Sequence, residues 1–435
     1  MKRTLSVLLV SLASASAWGA DLMSVYRDAL EYDARFAAAK AQREAGLEKT
    51  VQGRAGVLPG IGMSASTTWN DNSYTGVDRS FNSNSYGAEL RQPLFNRAAW
   101  TQYEQGKLQT TLSDTQFELA RQDLILRVSE AYFAVLNAQD AAEALRALRT
   151  AATQQLELAK KSFEVGTVTV TDVHEAQSRF DLASARLIAA ENALEVARQS
   201  LAQIIGKEPE GVAGLRAGAE LERPQPDNMG QWVRAAEQDS YSVQIQQIVT
   251  RIADREVTRN ESGHLPTLDV VARYNQSDSG GSSFGSGRSE NTIRTIGLEL
   301  NVPIYQGGGV SSRTREAAAL LTKSEADLDD ARRSAALAAR QAYLGVTSGL
   351  AQVKALEAAE VSSRSALEAN RLGYEVGVRI NIDVLNAQSQ LADTQQQLAK
   401  ARYDTLIAQL RLSAAAGTLG EEEVARLNTL LTSAP

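Results

Sequence analysis

Two short motifs contain residues that can do chemistry, and neither completes a known site. His174 and Glu175 begin like the zinc motif of metalloproteases, but Ser178 stands where the second histidine ligand is needed. Gln306 and the three glycines after it resemble a phosphate-binding loop that lacks its Gly-Lys-Ser/Thr ending. The whole chain has two histidines and no cysteine. We therefore expect no catalytic residue, no metal site and no cofactor.

Polar residues also occur where two predicted helices begin. Thr171 and Asp172 lie at the start of one helix, and Asn381 and Asp383 at the start of the other. Such side chains accept hydrogen bonds from the unpaired amides of a first helical turn, and carboxylates also complement the helix dipole. Two interpretations stay open: the residues only cap their helices, or they cap them and also bind a neighbouring element.

The elements that position these residues occur twice, because the sequence is an internal duplication. Phe-Glu-Val-Gly at 163–166 recurs as Tyr-Glu-Val-Gly at 374–377, and the same spacing places Asp172 on Asp383. We expect each half to fold as the same unit, with residues 21–230 as the first structural repeat and 231–435 as the second.

Each repeat is predicted to contain a helix, two strands, a very long helix and a shorter return helix. In the first repeat these are a helix over 22–54, strands at about 60–72 and 83–93, helices over 98–164 and 171–205, and a proline-containing connector over 206–230. In the second they are a helix over 231–262, strands at about 267–276 and 291–302, helices over 310–375 and 381–416, and a C-terminal tail.

The long helices set the fold class. The segment 98–164 has no proline and a single glycine, Gly106, so it predicts one helix about 100 Å long. A compact domain has no use for such a length, and a helix of this kind must find partners along its whole extent. The return helices are about half as long. We expect them to pack in series with the helices that open each repeat.

The strands alternate apolar and polar residues with a period of two, as Ile61, Met63 and Trp69 do against their neighbours. Each strand is about ten residues long, which is enough to cross an outer membrane when tilted. Four strands cannot close a barrel, since single-chain barrels begin at about eight. The barrel must therefore be shared between subunits, with apolar residues outside and polar residues lining a pore.

The N-terminus is typical of a secretory signal peptide over residues 1–20: Lys2 and Arg3 precede an apolar run and small residues. Cleavage after Ala20 is favoured, and cleavage after Ala17 stays open. No later apolar run reaches the roughly 20 residues of a membrane-spanning helix, so we expect any membrane insertion to use β-structure. A formal net charge of −7 argues against binding to nucleic acid.

The residues resemble the TolC family of outer-membrane channels for efflux and type I secretion, over essentially the whole mature chain. The most specific segments are 263–269, 303–308, 376–379, 382–385, 401–403 and 417–421, among them Gly-His-Leu-Pro-Thr-Leu-Asp, Pro-Ile-Tyr-Gln-Gly-Gly and Gly-Thr-Leu-Gly-Glu. The resemblance implies a mainly α-helical homotrimer in which long antiparallel helices form an α-helical barrel. Four strands from each chain then close a twelve-stranded β-barrel in the Gram-negative outer membrane, and the helices extend into the periplasm.

The resemblance also implies an iris at the periplasmic end that is closed at rest. By residue matching, Asp172 and Thr171 hold it shut with Tyr374 and Arg379 as partners, through an Arg379 to Asp172 pair and a Tyr374 hydroxyl contact with Asp172. Two acidic positions narrow the entrance in the family. Here the first is Asp383 but the second is Asn386, which halves the charge of that ring.

The two predicted helix-to-helix turns match the positions where a periplasmic adaptor docks. They consist of Val165, Gly166 and Thr167 in the first repeat and Val376, Gly377 and Val378 in the second. The implied partners are that adaptor, an inner-membrane transporter of the ABC or RND type, and outer-membrane lipid. Drugs and secreted proteins both stay open as cargo. The alternative function is a soluble periplasmic coiled-coil scaffold without a pore, and an enzyme is the reading least supported.

Overall fold

A computed structural model describes residues 20–74, 77–209, 211–216, 218–281 and 287–432. Residues 1–19 of the predicted signal peptide lie outside this range, so that assignment and its cleavage site stay predictions. Within the described residues, no helix is both long and apolar enough to cross a membrane.

The helices follow the predicted order in both halves of the chain. They are α1 (Leu22–Tyr32), α2 (Ala34–Ala55), α3 (Arg97–Glu164), α4 (Val170–Ile205), α5 (Met229–Asp239), α6 (Tyr241–Glu261), α7 (Gly309–Glu375), α8 (Asn381–Ala415) and α9 (Glu421–Asn428). The strands are β1 (Gly60–Tyr74), β2 (Val77–Phe95), β3 (Thr267–Ser279) and β4 (Ser289–Asn301). The predicted mainly α-helical chain with four strands is therefore confirmed, whereas the repeat boundaries 21–230 and 231–435 stay a prediction.

The first predicted helix, 22–54, is wrong as a single element, because it breaks at Asp33. This residue has an extended backbone, and its Oδ1 accepts a hydrogen bond from the Phe36 amide at 2.7 Å, which caps α2. Arg127 binds the same carboxylate through both terminal nitrogens, at 2.8 and 3.0 Å. These hydrogen bonds hold the pKa of Asp33 below its ordinary value although burial opposes them.

Smaller differences have similar local causes. The predicted helix 231–262 breaks at Ser240, whose backbone is extended between α5 and α6. The predicted C-terminal tail contains the helix α9, which begins after Gly420. Strands β1 and β2 extend beyond the predicted 60–72 and 83–93 because pairing continues through polar residues, as where Ser80 Oγ donates to Asp71 Oδ1 at 2.7 Å.

The strands form one antiparallel sheet in the order β1-β2-β3-β4. A single row across it pairs Ile61 with Leu90, Leu90 with Ala272 and Ala272 with Ile296. The next row on the opposite face contains Gly62, Glu89, Arg273 and Thr295. One face is therefore apolar, and it is open to the surroundings: Ile296 is 81% exposed.

The chain divides into two compact units. The first consists of the described residues of 20–37, 120–236 and 336–432. Its core includes Tyr132, Phe133 and Tyr403, with the rings of Phe133 and Tyr403 stacked at 5.7 Å. The Tyr403 hydroxyl donates to Asp140 at 2.6 Å and so joins α8 to α3.

The second unit consists of Ala38–Leu119 and Glu237–Ala335, and it contains the sheet. Its parts of α2 and α3 approach closely at Gly106, where an added Cβ would lie 2.5 Å from the Lys49 carbonyl oxygen. A hydrogen bond of 2.8 Å between the hydroxyls of Thr50 and Thr110 lies beside this crossing. Small residues thus let α2 and α3 pack closely without large apolar side chains between them.

Candidate functional site

The two helix-to-helix turns have the same construction. Gly166 and Gly377 have φ values of +76° and +78°, a conformation that favours glycine. In the first turn Thr167 N donates to Ser162 O and Gly166 N to Phe163 O, both at 2.9 Å. The second repeats the pattern, with Val378 N on Gly373 O at 2.8 Å. This is the Schellman motif, which ends a helix and satisfies its last carbonyls.

Apolar side chains at both turns project into solvent. Val165 and Val378 are each 75% exposed and Val376 is 65% exposed. Valines this exposed at a glycine turn contribute little to the packing of their own chain. The turns therefore present a surface suited to an apolar partner.

Asp172 forms a capping box with Thr169. The Thr169 amide and hydroxyl each donate to Asp172 Oδ2 at 2.8 Å, and the Asp172 amide donates back to Thr169 Oγ1 at 3.3 Å. These bonds hold the pKa of the Asp172 carboxyl below its ordinary value, the backbone amide contributing most. The predicted capping role is confirmed for Asp172 and is wrong for Thr171, because the N-cap is Thr169 and Thr171 is exposed. The further bond from Asp172 to a neighbouring element stays a prediction.

The start of α8 is built differently. Its N-cap is Ile380, which has no side chain that can accept a hydrogen bond, so the predicted cap by Asn381 is wrong. Arg379 Nη1 lies 3.6 Å from Asp383 Oδ2, one helical turn further on. The stem of Arg379 packs back over Gly373, where an added Cβ would lie 2.6 Å from the Arg379 Cγ.

The predicted gate residues lie at the same end of their helices, but within one chain they bind other partners. Among the described residues, no hydrogen bond or ion pair joins Asp172 to Arg379 or to Tyr374. Asp172 is held by Thr169, and Arg379 by Asp383. Tyr374 is half-buried and Arg379 is exposed.

Asn386 has a partner that the sequence did not indicate. Its Oδ1 accepts a hydrogen bond from Arg179 Nη2 at 3.0 Å, which joins α8 to α4. About two turns further along both helices, Arg186 Nη1 lies 3.9 Å from Asp393 Oδ1. The sequence could have indicated these two contacts only through the equal spacing of the residues in α4 and α8. The structure adds that the two helices face each other.

Very long paired helices that end in exposed glycine turns, together with a four-stranded sheet that exposes an apolar face, define a class of protein. They are the parts of an outer-membrane channel with a periplasmic helical extension. The family model described as outer membrane efflux protein matches residues 25–207 and 232–418. The chain belongs to this outer membrane efflux protein family.

Individual relatives agree with this assignment. The outer membrane protein TolC of Vibrio cholerae is 34% identical over 95% of this chain and 94% of its own length. The proteases secretion protein PrtF of Dickeya chrysanthemi is 32% identical over 100% of this chain and 96% of its own. The outer membrane channel CmeC of Campylobacter jejuni has the same fold, with a TM-score of 0.79 at 17% identity over 94% of this chain and 90% of its own.

The predicted class and location are therefore confirmed. The chain is an outer-membrane channel protein of the efflux and type I secretion class, and it lies in the Gram-negative outer membrane and extends into the periplasm. Its family consists of transport proteins that act within efflux and secretion systems.

Proposed function

We propose that three copies of the chain assemble into one passive exit duct. The observation that carries this is the sheet, which has four strands and leaves β1 and β4 each paired on one side only among the described strands. Unpaired strand edges cannot face lipid, because no water is there to satisfy their amides and carbonyls. Three sheets joined edge to edge make a twelve-stranded barrel without edges, with the apolar row outside and the polar row inside.

The periplasmic end of the duct is closed by contacts between neighbouring copies. Arg379 is 59% exposed and, among the described residues, holds only a long ion pair, so its guanidinium is available to Asp172 of a neighbour. The capping box keeps Asp172 charged and therefore a strong acceptor. Thr171 supports this pair, and the Tyr374 hydroxyl donates to the same carboxylate. Opening requires that these bonds break.

The entrance is narrowed by Asp383 and Asn386, close to the start of α8. In three copies Asp383 supplies a ring of three carboxylates, each partly neutralised by the Arg379 beside it. Asn386 adds no charge, and its amide is bound to the positive Arg179. This ring therefore attracts cations less strongly than one with two acidic positions in each chain.

The two turns dock a periplasmic adaptor protein, and an inner-membrane transporter of the ABC or RND type supplies the energy. The exposed side chains of Val165, Val376 and Val378 favour an apolar partner surface. The duct performs no catalysis, so its cargo is chosen by the transporter. Drugs and secreted proteins are both suitable cargo for such a shared exit. The name of PrtF, a protein for the secretion of proteases, favours proteins, and the fold shared with CmeC is compatible with either.

Single-channel recording tests the closed state. Tyr374→Phe combined with Arg379→Ser removes the hydroxyl and the guanidinium, and we expect a rise of at least about twofold in conductance in planar bilayers, since two charge-assisted bonds per interface are lost. Glu375→Gln at the neighbouring exposed position is the matched control and should conduct like the parent protein. Equal conductance of parent and double variant would remove these residues from the gate.

A further inference from the structure

Two polar contacts join the return helices α4 and α8 of one chain, and they are equally spaced along both helices. Arg179 donates to Asn386 at 3.0 Å, and Arg186 lies 3.9 Å from Asp393. In each helix the two residues are about two turns apart, which places both on one face. The contacts advance in the same direction along both helices. We call these four residues the α4–α8 ladder.

The apolar packing beside the ladder is thin. Ala183 and Leu187 of α4 lie in one buried cluster with Leu385 and Ala392 of α8. A cavity of about 180 Å³ interrupts the cluster, and Leu148, Ser389 and both arginines of the ladder contribute to its lining. Side chains that border a cavity lack partner atoms on that side, so they hold the two helices together less firmly than a filled core would.

The two contacts of the ladder, which we call its rungs, are exposed enough to break and re-form. Arg186 and Asp393 are each about half exposed, at 47% and 48% of their side chains. Asn386 is exposed as well. Ion pairs in such positions are weak individually, so they adjust an equilibrium between two arrangements and do not lock one of them.

The position of the ladder connects it to the proposed gate. Arg179 lies about two turns, roughly 10 Å, beyond Asp172 in α4. Asn386 lies in the second turn of α8, just after Arg379, which precedes that helix. A movement of α8 within its own chain that carries its start away from a neighbouring chain's α4 also changes how α8 sits on α4 of its own chain. The ladder lies at that contact.

We propose that the α4–α8 ladder is a second tier of the closed state, which holds α8 against α4 of the same chain and sets the balance between closed and open channels. This inference rests on the proposed closing of the periplasmic end, and not on which residues form the gate. The rung nearer the gate is a hydrogen bond to a neutral amide, and the further rung is an ion pair. The closed state is therefore held more weakly near the gate than it would be by two ion pairs.

A charge swap tests the ladder in planar bilayers, with open probability as the readout. Arg186→Glu faces Asp393 with a like charge, and we expect open probability to rise about threefold. Arg186→Glu combined with Asp393→Arg restores an opposite pair and should return open probability to the parent value. Asn386→Asp converts the hydrogen bond to an ion pair and should lower it about twofold.

Controls separate the ladder from the gate and from charge alone. Arg198→Glu makes the same charge change at an exposed position of α4 and should behave like the parent.

Tyr374→Phe with Arg379→Ser, recorded in parallel, reports on the gate: if it opens while Arg186→Glu does not, the ladder is rejected and the gate stands. If only Arg186→Glu opens, the proposed gate residues are rejected and the ladder stands. A swap variant as open as Arg186→Glu rejects the ladder.

A cross-link gives a second measurement that does not depend on charge. The chain has no cysteine, so Ala183→Cys and Ser389→Cys introduce a unique thiol pair on opposite sides of the cavity. A short cleavable thiol cross-linker should hold α4 and α8 together and abolish openings, and cleavage should restore them. Cross-linked trimers that open as often as untreated ones would overturn the proposal.

Discussion

Asp172 illustrates how one side chain supports both a helix and a site. Thr169→Ala removes the hydroxyl from the capping box, and loss of such a cap destabilises a helix end by about 1 kcal/mol. We expect the amides of the first turn of α4 to exchange about fivefold faster in hydrogen–deuterium exchange, since local opening then costs less. Thr171→Ala, two residues on, removes an exposed hydroxyl outside the capping box and should leave exchange unchanged.

The same pair makes the start of α4 sensitive to acid. The folded protein lowers the pKa of Asp172, so this carboxylate contributes stability above its unfolded pKa, and the contribution is lost as pH falls through the lower folded pKa. Exchange of the first turn, corrected for its intrinsic pH dependence, should accelerate only in acid below about pH 4. In Asp172→Asn this acceleration should be absent. The same acid response in both proteins would assign the effect to another group.

Single residues differ in how far the sequence predicts their surroundings. Gly166 and Gly377 were predicted as turns and are turns, because a glycine after a long helical pattern has a local reason to be there. Asp172 was predicted as a capping residue, although the residue it pairs with, Thr169, lies three positions earlier. Arg179 and Asn386 were not linked, since their bond depends on how two helices 207 residues apart in the sequence meet.

Long helices were the most predictable elements. The predicted 98–164 and 310–375 agree with α3 and α7 to within one residue at each end, because neither segment contains proline and both are rich in helix-forming residues. The breaks at Asp33 and Ser240 were missed. Each is a single polar residue within a helical pattern, and the partner that fixes Asp33 is Arg127, which is distant in the sequence.

Close helix crossings give a prediction about stability. At Gly106 an added Cβ would lie 2.5 Å from the Lys49 carbonyl oxygen, so Gly106→Ala must push α2 and α3 apart. Overpacking of this kind costs about 1–3 kcal/mol, which outweighs the gain in helix propensity. We expect a lower midpoint in thermal or denaturant unfolding of the purified protein.

Gly345 in α7 is the matched control for this prediction. An added Cβ there would meet only the Ala408 Cβ at 3.6 Å, an ordinary contact. Gly345→Ala should therefore be neutral or stabilising by up to about 1 kcal/mol, as expected for alanine in a helix. If Gly106→Ala raised the midpoint as Gly345→Ala does, helix propensity and not the crossing at Gly106 would determine the result.

At the scale of the whole molecule, the number of chains in the assembly is the property that one sequence predicts least well. The alternation of residues in the strands predicts two chemically different faces, and the structure confirms them. What a single chain does show is incompleteness: a sheet too narrow to close, with its apolar face uncovered. The soluble scaffold is disfavoured for this reason, because water would contact Met63 and Ile296 over 88% and 81% of their surfaces.

An arginine placed on one face or the other of the sheet distinguishes the shared membrane barrel from the soluble scaffold. If the apolar row faces lipid, Ile296→Arg places a guanidinium in the membrane at a cost of about 2–4 kcal/mol per chain near the midplane, and a trimer bears that cost three times. Heat-modifiable trimers should then disappear from the outer-membrane fraction. Thr295→Arg puts the same side chain one residue away on the polar face, where a water-filled pore accepts it, so trimers should persist. A soluble scaffold would tolerate Ile296→Arg at least as well as Thr295→Arg, so equal survival of both variants would contradict the shared barrel.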